Sequence, residues 1–121
     1  MGFDITKVNM YIPQGDTYGH SFLYRDEDDA DVVIVLNRYT ARLQIREKVS
    51  STSTLYEATT DEADGLTITG ATGKVYLEIP AATTAAWTWT KGVYDLEIIS
   101  EGGAVTKIAR GNVKVLAEVT R

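Results

Sequence analysis

The sequence contains no cysteine. No disulfide frame can staple the chain and no thiolate metal site can form, a composition that fits assembly in a reducing cytoplasm. Histidine occurs once, at His20, flanked by Gly19 and Ser21 inside an alternating run. No serine sits in a nucleophile elbow, so His20 reads as an ordinary strand residue rather than a catalytic base, and no enzyme is expected. The pieces "GATG" and "EGGA" match neither a dinucleotide fingerprint nor a P-loop, and no cofactor is expected. Basic residues are outnumbered, 12 against 17 acidic ones, giving a net charge of −5. Counterion release from a phosphate backbone needs clustered Lys and Arg, so nucleic acid is not an expected partner. Long apolar runs are missing too: none approaches a membrane span, and the opening "MGFDITKVNMYIPQGD" has no apolar core of a signal peptide.

What is present is period-2 alternation over most of the 121 residues, a length that suits one domain, 1–121. "YTARLQIRE" (39–47) is the cleanest strand, with Tyr39, Ala41, Leu43 and Ile45 on one side and Thr40, Arg42, Gln44 and Arg46 on the other. "ITKVNMYI", "DTYGHSFLYR", "GKVYLEIP" and "VYDLEIIS" alternate similarly, and "VVIVL" (32–36) is a continuous β-branched run. "STLYEATT" and "LTITG" are shorter, and "AVTKIARGNVKVLAEV" (104–119) reads as one long strand or two, with Gly111 as a bulge or kink. The intervening "DEDDAD", "DEADG", "TGATG", "WTKG" and "SEGGA" carry turn residues, and "SEGGA" predicts a hairpin. Only "PAATTAAW" (80–87) has helical character, and its length permits a short crossover. Together these features predict an all-β fold: an Ig-like antiparallel β-sandwich of about seven to nine strands with one short helical crossover near 80–87.

"KGVYDLE" sharpens that prediction. In Ig-like sandwiches a tyrosine near the start of strand F bonds back across the preceding corner. Here Gly92 would make the turn, Tyr94 would latch the corner and Leu96 would point inward. There is no Cys pair, and no Trp in the 39–47 strand, which excludes antibody-type domains.

Three further groups are candidates for contacts. Asp26, Glu27, Asp28, Asp29 and Asp31 crowd one turn and could offer oxygens to Ca²⁺, but the EF-hand template fails, because Asp31 stands where Gly is needed. A solvated acidic tip is the expected state. Arg42, Arg46 and Lys48 share one side of a strand and read as a solvent face. Trp87 and Trp89 are candidate interface residues, one as a core plug and the other as an exposed anchor.

The pieces "QGDTYGHSFLYRDEDD", "LNRYTARLQIRE", "LTITGATGKVYLEIPAATTAA", "KGVYDLEI" and "GAVTKIARGNVKVLAEVTR", in that order, resemble a family of small tailed-bacteriophage structural proteins. These are Ig-like sandwiches similar to the N-terminal domains of baseplate upper and fibre-adaptor proteins. Asn37-Arg38 departs from the family's usual Thr-Gly before the tyrosine, and Asp28-Asp29 from its Asp-Gly. The resemblance implies a non-enzymatic virion protein, made in the host cytoplasm and present in multiple copies on a symmetric assembly. It would contact other virion proteins of tail, baseplate, fibre or capsid, and it carries over no catalytic residue. A capsid decoration protein is the alternative within this class; a host-surface or carbohydrate-binding module, using Trp87 or Trp89, is the alternative outside it.

Overall fold

A computed structural model describes residues 6–24, 36–61 and 64–117. It is an Ig-like β-sandwich of two sheets. The first sheet runs β1(Thr6–Lys7), β9(Val105–Leu116), β8(Lys91–Ile99), β4(Thr40–Arg46), β5(Tyr56–Thr59), with β2(Met10–Pro13) also paired to β9. The second runs β3(Tyr18–Leu23), β7(Lys74–Ile79), β6(Leu66–Thr69). The described residues thus contain nine strands, within the expected range. The run 32–35 and the acidic turn Asp26–Asp31 lie outside the described residues.

Alternation places the core as expected. Ala41, Leu43 and Ile45 of β4 and Tyr94, Leu96 and Ile98 of β8 meet Phe22, Val75, Leu77 and Ile79 of the other sheet, and all are buried. The "SEGGA" hairpin joins β8 to β9, with the Ser100 amide bonding the Ala104 carbonyl. The crossover is a short helix, α1(Ala81–Ala85). Its Thr84 is fully buried; the hydroxyl donates to the Asp16 carbonyl at 2.8 Å and accepts from the Gly15 amide at 3.0 Å, tying the β2–β3 turn to the crossover.

The pairing departs from the sequence reading in two places. β1 and β2 pair with β9 in parallel, so the sandwich is not wholly antiparallel. A hairpin cannot join these strands, because they lie at opposite ends of the chain, and direction is then free to be parallel. The irregularity in β9 also falls elsewhere: the register shifts where Leu96 faces Ala109 and Glu97 faces Lys107, leaving Ile108 as the extra residue. Ile108 and Ala109 are consequently both buried in succession, as a bulge allows.

Arg38 is the non-glycine residue with positive φ among those described, at 66°. The left-handed region costs an L-residue energy that glycine avoids. Its ion pair with Glu101 is 3.3 Å long but both side chains are largely exposed, 79% and 66%, so the pair offsets little of that cost. Arg38→Gly is expected to raise stability by about 0.5–1 kcal/mol, read by urea denaturation with an unchanged m-value.

Candidate interaction site

Tyr94 is a latch, but not the expected one. Its hydroxyl donates to the carbonyl of Val8 at 2.6 Å, in the break between β1 and β2, and not across the corner before β8. The local ladder explains this. The Val8 amide bonds the Arg110 carbonyl at 2.9 Å, and a regular parallel ladder would then send the Asn112 amide to the Val8 carbonyl. The Asn9 side chain takes that amide instead, at 3.0 Å, freeing the Val8 carbonyl for Tyr94. Gly111, the cross-strand partner of Tyr94, has no side chain between them; a Cβ there would collide with the Val8 carbonyl. Burial pushes the Tyr94 hydroxyl's pKa well above its usual value, so it stays a donor. Gly92 is likewise not in a turn. It is the second residue of β8, and a Cβ there would come within 2.9 Å of the Arg46 carbonyl and 3.0 Å of Ile45 Cγ2. Its absent side chain allows close approach to β4.

The tryptophans pack against each other. They sit in the irregular segment between α1 and β8, with ring centroids 4.6 Å apart and planes at 39°. Trp87 belongs to the core and meets Tyr56 edge-on at 5.6 Å. Trp89 is half-buried against it, and its indole Nε1 is buried without a hydrogen-bond partner among the described residues. Of the pair, Trp89 is the one that retains appreciable accessible surface.

His20 lies on the inward row of β3, between Tyr18 and Phe22, with its ring 4.6 Å from Phe22 in an edge-on contact. Burial lowers its pKa below the usual value. A base whose folded pKa is depressed contributes stability that is present above its unfolded pKa and lost as pH falls through the folded one. Stability is therefore expected to decline as pH drops below about 6.5, and His20→Gln to flatten that part of a melting-temperature-against-pH curve. Among the described residues no three His, Asp or Glu side chains gather to hold a metal ion.

The outer face of the larger sheet is built from residues far apart in sequence. Ladder register sets them side by side: Thr59, Arg42, Glu97 and Lys107 form one row, and Glu57, Gln44, Asp95, Arg110 and Lys7 the next. Arg42 Nε donates to Glu97 at 2.9 Å, and Lys107 bonds Asp95 at 3.0 Å. Arg46 donates to the Ser51 carbonyl at 2.9 Å and to Gln44 at 3.0 Å, and Gln44 to Glu57. A hollow of about 640 Å³ lies over these side chains. A second, of about 270 Å³, adjoins it, lined by Tyr11, Lys91 and Lys114. Of the predicted solvent face, Arg42 and Lys48 are exposed, Lys48 beyond the end of β4, whereas Arg46 is half-buried and hydrogen-bonded to Ser51 and Gln44.

Comparison with known proteins adds the following. No protein-family model and no curated protein matches the chain. Among solved structures, extracellular domains 3–5 of Drosophila OTK align with 18% identity and a TM-score of 0.40. That alignment covers 96% of this chain and 34% of the Drosophila one, so the chain spans about a third of its neighbour's length.

Proposed function

We propose that this chain is a non-enzymatic structural protein of a tailed-bacteriophage virion, an adaptor in the tail, neck or baseplate that connects fibres through protein–protein contacts. The ordered motif set supports this, because its pieces fall on successive parts of one sandwich: "YTARLQIRE" on β4, "KVYLEIPAATTAA" on β7 and α1, "KGVYDLEI" on β8. The observation that carries the contact role is the broad outer sheet face with its two adjoining hollows. A large exposed face on a rigid sheet offers an adaptor a fixed surface for neighbours arranged around an axis.

Mass spectrometry of purified virions tests the reading. The chain is expected among the virion proteins at about a dozen copies or fewer. Its absence from particles would reject the reading, and hundreds of copies would replace the adaptor with a capsid decoration protein. For a carbohydrate-binding module, Trp89 would have to be the platform; its half-burial against Trp87 leaves less than a full indole face for a sugar ring.

A further inference from the structure

The charges of this chain are partitioned unevenly. The outer face of the larger sheet takes Lys7 from β1, Arg42 and Arg46 from β4, and Lys91 from β8. Strand β9 adds Lys107, Arg110 and Lys114. Against these seven cations, out of 12 in the chain, stand Glu57, Asp95 and Glu97, out of 17 acidic residues. Among the described residues the face is net +4, on a chain of net −5. Among the described residues the opposite sheet shows no such bias: its outward row carries Lys74 and Glu78, which cancel.

Within the face, two cross-strand pairs set cation beside cation, Lys7 with Arg110 and Lys91 with Lys114. Like charges at such positions destabilise a sheet unless counter-charge is supplied. Among the described residues none of these four is in an ion pair; the two exposed-face pairs, Arg42–Glu97 and Lys107–Asp95, use other cations. Tyr11 stands beside Lys114 in register and is 59% exposed, an aromatic with a polar tip at the rim of the unpaired lysines.

We infer that this face docks a carboxylate-rich segment of a neighbouring polypeptide, with Lys7, Arg110, Lys91 and Lys114 taking its carboxylates and Tyr11 packing on its apolar stems. The partner is a protein rather than a nucleic acid. Asp95 flanks Arg110, Glu97 lies between Arg42 and Lys107, and Glu57 stands on the edge strand β5, so a long polyphosphate crossing the face would meet these carboxylates, whereas a short carboxylate segment can lie along Lys7, Arg110, Lys91 and Lys114 without reaching them. This deepens the adaptor reading and rests on it for the identity of the neighbour, though not for the binding itself.

The test uses the full chain and a fluorescent oligoglutamate peptide, with an oligothymidylate of equal charge as the second probe. Fluorescence anisotropy is expected to show oligoglutamate binding that weakens with added salt. The triple reversal Lys7→Glu, Arg110→Glu, Lys114→Glu is expected to weaken it at least about tenfold, while Arg38→Glu, Lys48→Glu, Lys74→Glu, the same charge change elsewhere, leaves most of it. If the reversal perturbs the melting temperature, neutralisation of the same three residues to glutamine supplies the comparison. Failure to bind oligoglutamate, equal loss in both triple variants, or tighter binding of oligothymidylate would each overturn the inference. None of these bears on whether the chain is found in virions, so the two readings fail separately.

Discussion

Gly111→Val is expected to destabilise the protein by about 3–5 kcal/mol and to free the N-terminal strand from the sheet. Any side chain at this position strikes the Val8 carbonyl, and the neighbour is backbone that cannot rotate away. Relief requires β1 and β2 to lift from β9. That movement removes the Tyr94 bond to Val8, the Asn9 bond to Asn112, and the cover over Met10 and Ile12, which are 1% and 0% exposed. Exposing those two side chains alone costs about 1.5–3 kcal/mol each, tempered by partial collapse. Hydrogen exchange gives the specific signature: the amides of Val8 and Met10 should lose protection ahead of those in β4 and β8. Tyr94→Phe serves as the milder companion, removing one hydrogen bond worth about 1 kcal/mol while keeping the ring. A Gly111→Val protein as stable as the parent would mean that the Val8 carbonyl is not held over this glycine.

Leu96→Ala is the second large effect, expected at about 2–5 kcal/mol. Leu96 is fully buried at the centre of the larger sheet, between Leu43 of β4 and Ala109 of β9 in register. The small Ala109 beside it cannot fill the space left behind, which raises the cost. Urea denaturation reads it directly. A cost below about 1 kcal/mol would mean the site collapses and that the sandwich is not tightly packed at its centre.

Much of this fold is legible in the sequence, and the reason is local. Alternation in "YTARLQIRE" and "VYDLEIIS" assigned inward faces correctly, since one buried side per strand leaves period 2 in the residues themselves. The "SEGGA" hairpin and the "PAATTAA" crossover are equally local. What sequence could not supply is pairing across distance. Tyr94 and Val8 are 86 positions apart, and a tyrosine after a glycine indicates a latch without indicating its far end. Gly111 looked like a kink, because a lone glycine in a strand signals either a bulge or a close approach; the bulge is at Ile108 and the close approach is here. The parallel N-terminal pairing has no marker in either strand alone.

The candidate face was hidden for the same reason. Lys7, Arg42, Lys91, Arg110 and Lys114 occur singly, each at an outward position where a solvated charge is ordinary. Register gathers them, and the chain's overall acidity conceals the result, because net charge averages over faces that a partner meets one at a time. The tryptophans drew attention by type, yet one is core and the other leans on it.

The most direct measurement is zero-length carbodiimide cross-linking of the particles in which the proposed adaptor would be assembled, because the reagent joins a lysine amine only to a carboxylate in contact with it. The account predicts cross-links from Lys7, Lys91 or Lys114 to acidic residues of a neighbouring protein. Cross-links confined to Lys48 and Lys74, with Lys7, Lys91 and Lys114 unreacted toward any neighbour, would contradict it.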